Sequence, residues 1–292
     1  VTLTDGTMDT CNTNGNAWGG AIVVDGASTK GSLTVVNLDV TNSYVNLIDV
    51  EFAAVWLQDV TATLTSDQSG YAVNSAGRGT SGDAEWCGLY GSCTYVNNLA
   101  VTGGTYLSGL TVSSATSYNL EDISLEGGDV LYKYAGLGAV PSEFNALMDD
   151  ITTTGDIQIE GGSVPHTMST LGANNIVFTG DADSTNTIQG TDWTATGEIR
   201  IDLGCGWNIE ITTFTARRMA LYCSSSNNQN RVTVSGGDIT HTVPDSFSTN
   251  VFFAKNTVLT VGETDVSSLY VGGTHWGAYN VVAYTSSNAD IR

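Results

Sequence analysis

LAVTGGT (99–105), ISLEGGD (123–129), IQIEGGS (157–163), VTVSGGD (232–238) and the frayed SLYVGGT (268–274) share one phrase. Each alternates apolar and variable residues, then ends in two glycines and a small polar residue. Alternation at period two predicts a strand with one face inward. A glycine pair lets the backbone turn sharply, because glycine carries no Cβ and tolerates positive φ. One strand and one corner, repeated, predicts one wall of a coil, with the glycine pairs stacked at a single corner.

A second phrase, apolar-x-Asp/Asn-apolar, returns as LIDV (47–50), LQDV (57–60), LEDI (120–123), MDDI (148–151) and ANNI (173–176). Leu99 to Ile123 spans 24 residues, Ile123 to Ile151 spans 28 and Ile151 to Ile176 spans 25. Self-similarity at this period predicts a solenoid, in which each turn buries its apolar face against the next. Across 292 residues, roughly 24 per turn with loops removed gives about ten turns. The extra length between Ile123 and Ile151 predicts a short helical insertion over 140–150, with Ser142 as N-cap.

On these phrases the chain resembles the right-handed parallel β-helices of the pectin-lyase-like superfamily, a fold shared by adhesins, phage fibres and surface repeat proteins. The resemblance covers roughly 30–285. It implies an all-β, single-stranded right-handed parallel β-helix with long loop insertions. The expectation is one domain over 1–292, with an end region at 1–31 and a long insertion at 66–95.

The charge is lopsided. Nine Lys and Arg face thirty Asp and Glu, for a net charge of −21. Such a surface repels nucleic acid, whose phosphates need clustered Lys or Arg. The simplest consequence is solubility; the sharper one is divalent cation binding. No run of 18 apolar residues exists, so no membrane span is predicted. The chain opens at Val1 with strand-like VTLTDGT, which fits an exported protein that has lost its leader or a piece of a longer polypeptide.

Five cysteines occur, with no CxxC pair. Cys87 and Cys93 would close a small loop. Cys205 and Cys223 are 18 residues apart, close to one turn of a coil, where adjacent turns lie about 4.8 Å apart. Disulfides Cys87–Cys93 and Cys205–Cys223 are expected, with Cys11 left over, and they point to an oxidising, extracellular or cell-surface location.

Candidate chemistry is sparse. A pectate lyase of this fold would need a calcium-binding acid cluster and an Arg or Lys base. Arg200, Arg217 and Arg218 sit near acids in the sequence but match no such pattern, and surface ion pairs are expected of them. A polygalacturonase would show Asp-Asp, Gly-His-Gly and Arg-x-Lys. Asp149-Asp150 is present, but His166, His241 and His275 lack those flanks. Stacked Asp49, Asp59, Asp122 and Asp150 could supply paired carboxylates for hydrolysis, although a solvated outward row explains them as well. Asp181, Asp183 and Thr185 place oxygens at alternate positions, as in a calcium loop, without the glycine and distal glutamate that complete one. Asp83, Glu85, Trp86, Tyr90 and Tyr95, in the long insertion, could stack on a glycan or a partner surface.

The reading is therefore an exported, non-catalytic surface, fibre or coat protein that assembles with itself and acts in adhesion. The rival is a polysaccharide-active enzyme or glycan-binding module of the same fold. No cofactor other than calcium is expected.

Overall fold

The computed structural model describes residues 1–9, 22–25, 31–43, 47–51, 53–64, 71–76, 94–103, 109–114, 118–126, 128–134, 146–160, 165–180, 184–204, 206–223, 230–239, 252–255, 257–262, 265–266, 269–272 and 282–284. Among them every regular element is a β-strand, and every pairing between strands is parallel. The fold is an all-β parallel solenoid. The chain divides into two compact units, Val1–Glu160 and Gly161–Arg292.

In the first unit two ladders alternate along the chain. The first stacks β1 (Thr2–Asp9), β3 (Gly31–Ser43), β5 (Ala53–Leu64), β7 (Thr94–Thr102), β9 (Tyr118–Leu125) and β11 (Ala146–Thr153). The second stacks β2 (Ile22–Asp25), β4 (Ile48–Glu51), β6 (Tyr71–Ala76), β8 (Gly109–Ser114), β10 (Val130–Tyr134) and β12 (Ile157–Glu160). From β1 to β11 the described chain makes five full turns.

The second unit repeats the plan. Its first ladder runs β13 (His166–Ala173), the start of β15 (Thr187–Leu203), the start of β16 (Asn208–Cys223), then β17 (Asn230–Ser235) with β18 (Asp238–Ile239). It ends in β20 (Thr257–Gly262) with β21 (Asp265–Val266), and β23 (Val282–Tyr284). Its second ladder joins β14 (Ile176–Thr179), the ends of β15 and β16, β19 (Phe252–Lys255) and β22 (Leu269–Gly272).

The core is a set of columns. Val35, Leu57, Val96, Leu120 and Met148 stack in register and are each fully buried. So do Leu38, Val60, Leu99, Ile123 and Ile151, at 4% exposure or less. Within β3 the step from Val35 to Leu38 is three residues where plain alternation would give two. The same step separates Leu57 from Val60, Val96 from Leu99 and Leu120 from Ile123.

A left-handed residue explains the slip. Asp5, Asn37, Asp59, Asn98, Asp122 and Asp150 all have φ between 51° and 57°, and they occupy one level of the first ladder. Thr170, Asp192, Thr213 and Gly236, with φ between 51° and 62°, occupy one level in the second unit. One residue in this conformation bends the strand outward at that point. It resets which side faces in, so apolar positions three apart both reach the core.

Four expectations change. The glycine pairs do not share a corner: LAVTGG and ISLEGG follow first-ladder strands β7 and β9, IQIEGG and LYVGG follow second-ladder strands β12 and β22, and VTVSGG carries the left-handed corner itself at Gly236. LIDV belongs to the second ladder, in β4, ANNI spans the turn from β13 into β14, and only LQDV, LEDI and MDDI mark the corner. Of the expected helical insertion 140–150, residues 146–150 open strand β11, because Met148 is needed in the core column, and 140–145 lie outside the described residues. Finally, the compact turn is shorter than 24 residues where nothing is inserted: Ile188 pairs with Ile209, 21 residues on.

Thr170 is β-branched and stands at φ 51° with its side chain exposed. An L-residue in this region costs roughly 1–2 kcal/mol that glycine avoids. Thr170→Gly is expected to raise unfolding stability by about 1 kcal/mol, and Thr170→Val to leave it unchanged or lower. Urea midpoints of the two variants check this.

Candidate functional site

The outward side chains of the first unit bond from turn to turn. Asn37 Nδ2 donates to Asp5 Oδ1 at 2.7 Å, and Asn98 Nδ2 to Asp59 Oδ1 at 2.7 Å, along the corner row. Thr61 Oγ1 donates to Asp39 Oδ1 at 2.7 Å and Asn97 Nδ2 to Glu121 Oε2 at 2.9 Å on the flanking strands. On the second ladder Asn74 Nδ2 reaches Asp49 Oδ1 at 2.9 Å. Parallel stacking places equivalent residues about 4.8 Å apart, within reach of one side-chain hydrogen bond.

These contacts sort the candidate acids. Asp59, Asp122 and Asp150 do share the corner row, with Asn98 between Asp59 and Asp122. Asp49 does not join them; it lies on β4 and is engaged by Asn74. Asp149 sits one residue before the corner, in register with Glu121. Asp122 and Asp150 are neighbours one turn apart, and both are exposed. Hydrolytic pairs of carboxylates draw on a site that shields one carboxyl from water. An outward, solvated corner does not provide that shielding.

Two of the three candidate arginines are held in ion pairs. Arg200 Nη2 lies 2.7 Å from Asp202 Oδ2, and its guanidinium carbon is 5.3 Å from the Tyr222 ring centre. The hydrogen bond to Asp202 holds its proton more tightly than usual. Arg218 Nη1 lies 2.7 Å from Glu198 Oε2 on the preceding turn. Arg217 is exposed.

Tyr95, expected to bind through its ring, stacks on Trp56 of the preceding turn, with ring centres 3.8 Å apart and planes 19° apart. Each ring therefore covers one face of the other, and the pair stiffens the wall as a cross-strand contact. Burial and then the nearby Glu121 carboxylate raise the Tyr95 phenol pKa. Asp83, Glu85, Trp86 and Tyr90 lie outside the described residues. So do Asp181 and Asp183, while Thr185 is exposed. Among the described residues no group of three His, Cys, Asp or Glu is placed to hold a metal. Cys11, Cys87, Cys93 and Cys205 lie outside them too; Cys223 ends β16 opposite Leu203, with its sulfur undescribed.

His166 is a core residue. It is 2% exposed, lies edge-on to Phe178 at 6.0 Å between ring centres, and lies nearly parallel to Trp207 at 6.5 Å. Burial alone pushes its pKa down to about 3. His241 and His275 are outside the described residues.

The corner row was missed as a unit because its members vary between Asp, Asn, Thr and Gly. The signal that finds it is the three-residue step between apolar positions, which recurs in β3, β5, β7, β9, β11, β13 and β16. Comparison with known proteins returns no match: no protein family, no curated protein and no solved structure is significantly similar to this chain.

The His166 environment sets an acid limit on stability. An unfolded histidine takes up its proton near pH 6.5, whereas the folded one resists to about 3. The unfolded state therefore binds more protons as pH falls between those values, and folding weakens by up to about 1.4 kcal/mol per pH unit well below 6.5. Replacing the group in His166→Leu should flatten the profile of unfolding free energy between pH 6 and 4 relative to the parent. An unchanged slope would mean that carboxylates alone set the acid limit.

Proposed function

We propose that this chain is an extracellular, non-catalytic structural protein, a self-assembling fibre, coat or adhesin element built as a pectin-lyase-like parallel β-helix. A right-handed coil follows from the general handedness of parallel crossovers. The observation that carries the reading is the use to which polar side chains are put. From Asp5–Asn37 through Asp59–Asn98 to Asn97–Glu121, outward groups bond to the next turn and lock the coil along its axis. Arg200 and Arg218, two of the three candidate cations, are held by carboxylates of the chain itself. A surface of this kind suits a rigid element that resists unfolding and presents regular faces. The stated alternatives, a polysaccharide-active enzyme or a glycan-binding module, would rest on residues of the insertion that lie outside the described ones, Asp83, Glu85, Trp86 and Tyr90.

Self-assembly is supported by strand β1. It pairs with β3 on one side only among the described residues. Its inward residues Leu3, Gly6 and Met8 are only partly buried, whereas their partners Val35, Leu38 and Val40 are at 4% exposure or less. An edge strand over an apolar column accepts a further strand, from a second copy or from adjoining polypeptide, and a heterologous contact of this type builds filaments. The negative charge opposes such contact at low salt and is screened at high salt. Sedimentation velocity should show association that grows with protein concentration and with sodium chloride. Leu3→Lys, an inward-pointing charge on the edge, should abolish it. A monomer at every salt concentration would defeat the assembly reading.

A further inference from the structure

In the second unit the corner row shrinks from turn to turn: Asp192 on β15, Thr213 on β16, Gly236 after β17. The following inward position shrinks as well, from Trp193 to Phe214 to Gly237, and the Phe214 ring occupies the space where a Gly237 side chain would go. The rings are buried and close the floor. Outside, loss of bulk at the corner leaves an open hollow of about 320 Å³, walled by Asp192, Thr194, Thr213 and Thr215 and bounded by Gly236. That volume is at the lower end of small-molecule sites.

What sets this wall apart is that its polar groups are gathered around one hollow. Just before the corner, Thr191 and Thr212 share a hydrogen bond of 3.2 Å. Asp192, Thr194, Thr213 and Thr215 are exposed, and among the described residues their side chains bond to nothing. Three hydroxyls, each able to donate and accept, and one carboxylate that only accepts thus surround one hollow. We propose that this hollow binds a neutral sugar ring, with Asp192 accepting from adjacent ligand hydroxyls and the three threonines completing the set. The site gives the rod a ligand, and it stands whether or not the chain assembles.

The chemistry argues against other occupants. Anions, acidic sugars included, meet Asp192 and a chain of net charge −21. Calcium takes six to eight oxygens, with several carboxylates among them, and this wall supplies one carboxylate. A ligand rich in paired hydroxyls matches the donors and acceptors present.

The test is a titration of the isotope-labelled chain with oligosaccharides of glucose, galactose, mannose and N-acetylglucosamine up to about 50 mM, well above the millimolar range expected for a few exposed hydrogen bonds. At least one should give saturable shifts at the amides of Asp192, Thr213 and Gly236. Asp192→Asn should weaken it about tenfold, as loss of a charge-assisted hydrogen bond does. The double variant Thr194→Val, Thr215→Val keeps the shape at two exposed strand positions and should remove the shifts while the rest of the spectrum stays in place. That variant decides the matter if Asp192→Asn misfolds. Absence of saturation with every probe overturns the proposal. So do shifts that survive the double variant, or a response at these amides to calcium chloride and to no sugar.

Discussion

The structure depends on one backbone requirement, a left-handed residue at one level of each described corner within a unit. Parallel stacking in register is possible only if each turn bends at the same place, since a one-residue slip moves a whole set of apolar side chains to the wrong face. The corner achieves the bend by breaking alternation once. Leu57 and Val60 both point inward because Asp59, between them, stands at φ 52°. If one turn lacked the corner, its second apolar half would face water while the turns on either side buried theirs. The core columns therefore constrain the corner, and the corner in turn fixes the columns.

The residues chosen for that corner follow from its cost. Asp and Asn tolerate the left-handed region better than other residues with a Cβ, because their short polar side chains can bond locally. In the first unit all six corner residues are Asp or Asn. Stacking turns this tolerance into cohesion where the two types alternate, as in Asp5–Asn37 and Asp59–Asn98. It becomes a liability where they do not, since Asp122 and Asp150 place two exposed carboxylates on neighbouring turns. Water and salt screen that repulsion at a surface. The second unit draws on Thr and Gly as well, and its row carries no comparable side-chain ladder among the described residues.

Much of the coil could be read in the sequence, and the errors have physical causes. Alternating apolar residues identified the strands, and the spacing from Leu99 to Ile123 was a true turn-to-turn distance. The glycine pairs misled because glycine serves several purposes here. Gly103, at φ 74°, faces the Leu64 carbonyl, where a Cβ would collide. Gly128 lends its carbonyl to the Thr153 hydroxyl of the next turn. Gly237 yields its space to the Phe214 ring. Sequence shows the lost side chain in each case but not the neighbour that required it. ANNI looked like LEDI for a related reason. Asn175 Oδ1 accepts from the Glu198 amide at 2.8 Å and so serves a turn between ladders rather than the corner. The candidate site was harder still, because the walls of the hollow come from β15, β16 and the turn after β17, and no single stretch contains them.

A solenoid separates the duties of its residues more cleanly than a globular core does. Inward positions are held by packing, and corner positions by backbone conformation. The remaining outward positions are held by neither, so their composition can follow use. In the first unit they stack and bond to one another, as Trp56 on Tyr95 and Asn97 to Glu121 show. Around Asp192 and Thr213 the same kinds of residue stand without partners among the described residues, beside a corner that has lost its bulk. Packing below does not require that arrangement, because Phe214 fills the inner space whether or not the outer wall carries hydroxyls. Nor does the backbone require it, because Asp, Asn or Gly satisfies the corner elsewhere. Where neither the core nor the bend dictates a polar cluster, water satisfies its exposed groups, and the sugar proposed above would take the place of that water.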